Sequence, residues 1–141
     1  MKHTFETKVY YADTDSYGVV WHGAYLRWME KGRVDFCGQL GLDLVQLKNL
    51  DVLLPVTTMT VKYKSSAKLN DNLIVETWFD KMTSLSVTFK QVIKSKETGK
   101  IFIEADFDVV AVNSEGKLYR RIPEDIAKTL ERGLEKCPAH V

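Results

Sequence analysis

Two carboxylates and an imidazole are crowded into one short stretch near the amino terminus. Residues 11–25 read YADTDSYGVVWHGAY, and Asp13, Asp15 and His22 supply the two carboxylates and the imidazole of this stretch. Aspartate and threonine in loops commonly cap backbone N–H groups with their own side chains, and we interpret Asp13 and Thr14 in that way. Asp15 and His22 remain as the candidates for chemistry.

Gly18 and Gly23 lie on either side of the VVWH run and allow the chain to fold tightly against a following helix. A helix N-terminus offers unpaired N–H groups and the positive end of a dipole, which together stabilise an oxyanion. If Asp15 shares a cavity with these N–H groups, its carboxylate can activate water or attack a bound carbonyl itself. A thiol with a pKa of about 8.5 leaves with little help, so such a site favours a thioester substrate.

A metal site is an alternative use of the same side chains. Asp13, Asp15 and His22 could supply three ligands, but the other histidines, His3 and His140, lie near the termini. No second pattern of ligating residues accompanies the three, so we predict neither a metal nor a cofactor.

Composition argues against several classes of protein. The 141 residues carry 20 basic and 19 acidic side chains, and the net charge of +1 argues against a protein that coats nucleic acid. No stretch approaches the ~20 apolar residues of a membrane span, and residues 1–15 lack the apolar run of a signal peptide. Cys37 and Cys137 are too few for a disulfide framework. We expect reduced thiols and a cytoplasmic protein, with neither nucleic acid nor membrane as a partner.

A long amphipathic helix follows this stretch. From Gly23 onward, apolar residues recur every three or four positions. The stripe consists of Tyr25, Met29, Gly32, Phe36 and Leu40, with Trp28 beside it. Lys31 and Asp35 lie one turn apart on the other side and can pair. Gly32 costs about 1 kcal/mol relative to alanine inside a helix, so we expect another layer to approach its backbone closely.

Strand patterns account for most of the remaining chain. A first strand precedes the helix, and four follow after a loop through Asp51. The five patterns cover residues 5–11, 57–65, 72–82, 85–95 and 101–112. Glycine-bearing hairpin turns occur at 96–100 and 113–117, and Pro123 opens a short C-terminal helix. The order predicts an α+β fold, an antiparallel sheet with its helices on one face.

Residues 11–33, YADTDSYGVVWHGAYLRWMEKGR, resemble the signature of hotdog-fold thioesterases of the 4-hydroxybenzoyl-CoA thioesterase class. The similarity is greatest to the bacterial acyl-CoA thioesterase branch. It continues through residues 54–71 and 119–126, and thus covers nearly the whole chain as a single domain of residues 1–141. The resemblance implies a five-stranded antiparallel sheet wrapped around the long central helix. It also implies dimers joined sheet edge to sheet edge, with active sites between subunits, and homotetramers in many members.

The resemblance also implies roles for individual residues. Asp15 matches the catalytic general base or nucleophile, Tyr11 and His22 match residues that line the site, and backbone N–H groups near His22 match the donors to the thioester carbonyl. Beyond these matches, we predict that Gly18, Val20, Trp21, Tyr25 and Lys64 bind the substrate. The chain departs from the branch at Ala24, where asparagine is usual, and at Gly32, where alanine is usual.

Several of these residues also have simpler interpretations. The aromatic residues Trp21, Tyr25, Trp28 and Phe36 are typical of a core, and a place in an acyl tunnel stays open for some of them. Lysines such as Lys64 could hold coenzyme A phosphates or belong to a solvated strand face. Glu30 and Arg33, three apart on the helix, are most simply an ion pair. Glu30 is also an alternative catalytic carboxylate, because another hotdog branch uses a helical glutamate.

The sequence thus predicts an acyl-CoA thioesterase that releases a carboxylic acid and free coenzyme A, and that assembles as a homodimer or homotetramer. The same chemistry on an acyl carrier protein is an alternative. A non-catalytic acyl-CoA-binding module on the same fold is another, although binding alone has no use for a carboxylate beside a polarised carbonyl.

Overall fold

Five antiparallel strands form one sheet, and a long helix packs on its inner face. We describe a computed structural model of the chain, which covers residues 2–135. Cys137 and His140 lie outside the described residues, so the expectations for them stay predictions.

The predicted elements occur in the predicted order, and one further short helix lies between the first helix and the second strand. Along the chain they are β1 (His3–Lys8), α1 (His22–Gln39), α2 (Leu44–Asn49), β2 (Val56–Tyr63), β3 (Asn72–Met82), β4 (Ser86–Ser95), β5 (Ile101–Val110) and α3 (Glu124–Glu135). The strand order in the sheet is β1-β3-β4-β5-β2, and every neighbouring pair is antiparallel. The α+β class, the five-stranded hotdog sheet around the central helix and the short C-terminal helix are therefore confirmed.

Helix α1 joins the sheet through the apolar stripe seen in the sequence. Phe36 has no exposed surface, and its ring lies 4.7 Å from that of Phe79 on β3. Phe79 in turn lies 5.0 Å from Phe89 on β4. On the outer side of α1, the predicted Lys31–Asp35 pair forms at 2.6 Å. The amphipathic pattern therefore sets which face of the helix is buried.

A buried glutamine links the helix to the sheet at the level of Gly32. The side-chain amide of Gln91 donates to the backbone carbonyl of Met29 and to the hydroxyl of Thr77, both at 2.8 Å. A Cβ on Gly32 would lie 2.7 Å from Thr77 Oγ1 and 2.9 Å from Gln91 Nε2. The expected close approach at Gly32 is confirmed, and these polar side chains are the approaching layer.

Two local predictions are wrong. The first strand ends at Lys8 rather than at residue 11, and a 3-10 turn over Tyr11–Asp13 replaces its last part. The loop through Asp51 contains the short helix α2, whose start is capped by Asp43 through the N–H group of Val45 at 2.8 Å. In both places a hydrogen bond from a backbone N–H group to an aspartate carboxylate stabilises the observed backbone conformation.

None of the helices in residues 2–135 is both long and apolar enough to cross a bilayer.

Candidate active site

Asp13 anchors the connection that leads into α1. Its carboxylate is buried, with Oδ2 accepting the backbone N–H of Tyr10 at 2.9 Å and Oδ1 lying 3.8 Å from the Arg27 guanidinium. The capping role predicted for Asp13 is thus confirmed. Thr14 differs from the prediction, because its hydroxyl donates to the carbonyl of Tyr11 at 2.8 Å instead of accepting an N–H group.

Asp15 lies at the tip of the same connection and is exposed. The backbone turns tightly there, with the N–H of Gly18 donating to the Asp15 carbonyl at 3.0 Å and Gly18 at a φ of 79°. One carboxylate oxygen, Oδ1, accepts the N–H of Tyr17 at 2.8 Å. The other oxygen accepts no hydrogen bond from residues 2–135. Asp15 is therefore oriented by its own turn, with one oxygen left for another partner.

The start of α1 is open. Its N-cap residue is Trp21, whose side chain accepts no hydrogen bond from the first turn. The Trp21 indole lies directly beside Gly23, since a Cβ on Gly23 would overlap the ring. His22 is exposed and meets the Trp21 ring edge-on at 5.5 Å. The first-turn N–H groups are thus free of a side-chain cap, beside two aromatic rings.

The remaining predicted site residues divide by burial. Val20 and Tyr25 are buried, and the Tyr25 hydroxyl accepts the N–H of Ala67 at 3.0 Å. Burial is also the main cause that raises the pKa of Tyr25 above its ordinary value. Tyr11 is 81% exposed, and Lys64 pairs with Glu104 at 3.4 Å. In one chain, Tyr25 thus belongs to the core and Lys64 to a solvated strand face.

Tyr63, which was not among the predicted site residues, lies at the helix start. Its hydroxyl donates to the backbone carbonyl of His22 at 3.3 Å, and its ring meets that of Tyr25 at 5.9 Å. Tyr63 ends β2 and is half exposed. The sequence shows an aromatic residue at position 63, just before the turn that follows β2, and this could have marked Tyr63 as a site residue. Only the folded sheet brings Tyr63 to His22, which lies 41 residues away in the chain.

A mostly apolar cavity of about 250 Å³ lies between α1 and the strands near the β2 edge. Its walls are formed by Glu30, Arg33, Val34, Cys37, Leu44, Leu54, Val56, Phe89 and Val109. Asp15 is not part of these walls. Asp15 and the amides at the start of α1 therefore lie outside this particular cavity.

Arg33 and Glu30 do not form the predicted ion pair. The guanidinium of Arg33 donates to Gln91 Oε1 at 3.0 Å and lies 4.0 Å from the centroid of the Phe107 ring. Burial lowers the pKa of Arg33 from its ordinary value, and the nearby Glu30 partly opposes this effect. The prediction is wrong because Arg33 turns inward to the sheet while Glu30 stays exposed.

Within residues 2–135, no three His, Cys, Asp or Glu side chains are grouped in a way that could hold a metal ion. That the chain needs no cofactor stays a prediction.

Comparison with known proteins adds an independent observation. Residues 9–130 match the profile of the thioesterase-like superfamily. The acyl-CoA thioester hydrolase YbgC of Escherichia coli O6:H1 is 33% identical over 119 residues, which are 84% of this chain and 88% of that protein. The acyl-CoA thioesterase YbgC of Haemophilus influenzae is 32% identical over 105 residues, which are 70% of this chain and 77% of that protein.

Among solved structures, the DHNA-CoA thioesterase of Staphylococcus aureus superposes with a TM-score of 0.84. It is 26% identical, and the match covers 93% of this chain and 89% of that one.

Proposed function

We propose that this chain, which belongs to the thioesterase-like superfamily, hydrolyses an acyl-CoA to a carboxylic acid and free coenzyme A, with Asp15 as the catalytic carboxylate. The chain is a thioester hydrolase, as its named relatives are. The observation that supports this most is the pairing of an exposed, turn-oriented carboxylate with an uncapped helix start on one connection. Binding alone would need neither feature.

The proposed reaction uses groups of this chain alone. The N–H groups at His22 and Gly23 donate to the thioester carbonyl and stabilise the oxyanion that forms when water adds to its carbon. Asp15 accepts the proton of that water, so the hydroxide oxygen bonds to carbon as the proton leaves. The C–S bond then breaks, and the coenzyme leaves as a thiolate that takes up a proton. In the covalent alternative, the free oxygen of Asp15 attacks the carbonyl carbon, the C–S bond breaks and the coenzyme leaves as a thiolate. Water then hydrolyses the resulting anhydride, which releases the carboxylic acid and restores the Asp15 carboxylate.

We further propose that two protomers complete the site, joined along β2. This edge strand has eight residues, carries no charge from Val56 to Val61 and exposes 55% of Met59 and 50% of Tyr63. The opposite edge, β1, carries Glu6 and Lys8 in six residues, which discourages strand pairing. A second copy at β2 would cover these apolar side chains and add walls around Asp15. Whether such dimers assemble further into tetramers is a separate prediction of the resemblance.

The other predicted site residues would contact the substrate or hold the connection in place. Tyr11 and Trp21 present exposed aromatic surface on either side of the connection and can pack against the substrate. Gly18 sets the turn that aims Asp15, and Val20 fixes the connection to the core by donating its N–H to the carbonyl of Ala67 at 2.9 Å. Lys64, near the β2 end, is the predicted contact for a coenzyme phosphate.

The test is a thiol-release assay with short, long and aromatic acyl-CoA substrates. We expect the wild-type protein to turn over at least one of them, and Asp15→Asn to lose 10²-fold or more of kcat while still binding substrate. Asp125→Asn, an exposed carboxylate in the first turn of α3, is the matched control and should retain full activity.

Each outcome of the assay has a definite meaning. Equal rates for wild type and Asp15→Asn would remove Asp15 from the mechanism, and Glu30→Gln would then test the alternative carboxylate. Turnover of an acyl carrier protein thioester without turnover of any acyl-CoA would identify the carrier protein as the substrate. Tight binding of acyl-CoA without thiol release from either would indicate a binding module.

A further inference from the structure

Two backbone amides at the start of α1 have no acceptor within residues 2–135. The N–H groups of His22 and Gly23 donate to no described residue, whereas the next amide, that of Ala24, donates to the carbonyl of Trp21 at 3.0 Å. A side chain at position 23 would overlap the Trp21 ring, so glycine is required there. Both amides are therefore available to the thioester carbonyl in the proposed reaction.

The Tyr63 hydroxyl contacts the peptide group to which one of these amides belongs. It donates to the His22 carbonyl oxygen at 3.3 Å. This carbonyl and the N–H of Gly23 form one planar unit, because the C–N bond between them has partial double-bond character. A donor at the oxygen polarises the whole unit, and hydrogen bonds linked in this way strengthen one another. The hydroxyl of Tyr63 therefore makes the N–H of Gly23 a stronger donor.

Contacts of the fold aim the Tyr63 hydroxyl at the helix start. Tyr63 is the last residue of β2 and pairs with Ile103 of β5. Its ring meets the buried Tyr25 ring edge-on at 5.9 Å, and the Tyr25 hydroxyl accepts the N–H of Ala67 at 3.0 Å. The sheet and a core tyrosine thus fix the position of Tyr63 relative to α1.

We propose that Tyr63 is a positioning residue of the hydrolase, whose hydroxyl orients and polarises the peptide unit between His22 and Gly23. The inference rests on the proposed function, in which the amide of Gly23 donates to the oxyanion. Negative charge on this oxygen is greater in the transition state than in the bound thioester, so a stronger donor raises kcat more than it lowers KM. Hydrogen bonds in active sites are often long without substrate and tighten when it binds, which agrees with the 3.3 Å separation.

The first experiment measures kcat and KM of Tyr63→Phe, which keeps the ring and removes the hydroxyl. One oxyanion donor contributes about 10²–10³ to kcat, and a linked hydrogen bond strengthens such a donor by roughly 10–30%. We therefore expect kcat to fall by about two- to eightfold with KM unchanged.

Tyr119→Phe is the matched control for this measurement. The Tyr119 hydroxyl also donates to a backbone carbonyl, that of Asp51, at 2.7 Å. The control thus removes the same kind of hydrogen bond from a place outside the proposed site, and it should keep the wild-type kcat and KM. Sedimentation velocity checks that both variants assemble as the wild type does.

The second experiment observes the polarised carbonyl directly. An acyl-CoA labelled with carbon-13 at the thioester carbonyl is bound to Asp15→Asn, and infrared difference spectroscopy gives the stretching frequency of the labelled group. Hydrogen bonds to the carbonyl oxygen lower this frequency. We expect Tyr63→Phe in the Asp15→Asn background to raise it part of the way toward the free value. Tyr119→Phe in the same background should leave it unchanged.

The outcomes separate this inference from the proposed function. No thiol release from any thioester would contradict the proposed function itself. Thiol release with equal kcat in wild type and Tyr63→Phe, an equal loss in Tyr119→Phe, an effect on KM alone or an unchanged carbonyl frequency would each overturn the role of Tyr63. If Tyr63→Phe does not fold, 3-fluorotyrosine at position 63 decides the question at neutral pH. Its phenol is the stronger donor, so a carbonyl frequency no lower than with tyrosine would overturn the inference.

Discussion

Asp13 and Asp15 are two residues apart and have opposite environments. Asp13 is 6% exposed and bonded to the backbone, whereas Asp15 is exposed with one oxygen free. The 3-10 turn points Asp13 inward, and the tight turn at Gly18 leaves Asp15 at the tip. The two carboxylates should therefore affect different properties of the protein.

We expect Asp13→Ala to lower the free energy of unfolding by about 1–3 kcal/mol, because the N–H of Tyr10 loses its acceptor. Urea denaturation measures this change. Asp15→Ala should change the same quantity by less than about 0.5 kcal/mol, since the residue is exposed. If both substitutions cost the same stability, the structural role of Asp13 would be wrong.

We predict that the free energy of unfolding falls at high pH because the Cys37 thiol is buried. Its folded pKa of about 11 lies above the ordinary value of 9.0, because burial disfavours the thiolate. Between these values the unfolded chain releases a proton that the folded chain keeps, so stability falls as pH rises. The contribution is fully present below pH 9, and about 2–3 kcal/mol of it is lost by pH 11.

The measurement is urea denaturation at several pH values under reducing conditions, with Cys137→Ser as the background to leave one thiol. The difference in unfolding free energy between this protein and the Cys37→Ala variant should shrink from pH 9 to pH 11. A difference that stays constant over this range would contradict the burial of the thiol.

At the scale of elements, helix α1 packs closely against the sheet at Gly32. The amide of Gln91 and the hydroxyl of Thr77 occupy the space that an alanine side chain would need at Gly32. The branch that the chain resembles usually has alanine there. Thr77 of β3 and Gln91 of β4 thus explain why this chain has glycine at position 32. Gln91 also accepts a hydrogen bond from Arg33 through Oε1.

We expect Gly32→Ala to destabilise the protein by about 1–3 kcal/mol despite the better helix propensity of alanine, because the added methyl group overpacks the layer. Gly38→Ala on the same helix is the matched comparison. A Cβ on Gly38 meets no atom within 4 Å, so this substitution should stabilise by up to about 1 kcal/mol. Urea denaturation of both variants decides, and equal effects would refute close packing at Gly32.

At the scale of the whole molecule, the two edges of the sheet are unequal. The β1 edge is short and carries ion pairs such as Lys96–Glu6 at 3.2 Å, whereas the β2 edge presents Met59 and Tyr63. Met59 faces the same side as its partner Phe107 on β5, which is the inner side. A second protomer at β2 would bury this surface.

We expect Met59→Lys to weaken self-association tenfold or more, because it places a charge in the proposed interface, and to reduce activity in parallel. Sedimentation velocity over a concentration series measures the association. Thr4→Lys on β1 is the control and should assemble like the wild type. A Met59→Lys protein that still forms fully active dimers would show that β2 is not the interface.

Much of the fold was predictable because its signals are local. Period-two patterns predicted the strands, and patterns of three to four residues predicted α1 and α3. Asp43 caps the start of α2 and could have indicated it, but this short helix was not predicted. The single domain of residues 1–141 and its cytoplasmic location stay predictions.

The candidate site was predictable in part. By itself, the sequence determined the residue types at the connection, and these indicated the family and marked Asp15. Only the tertiary structure decided that Asp13 is buried, that Tyr63 reaches His22 and that Arg33 turns to Gln91, 58 residues away. The physical reason is that burial and hydrogen bonding at these positions depend on strands that are distant in the chain and adjacent in the sheet, and a local pattern carries no record of those contacts.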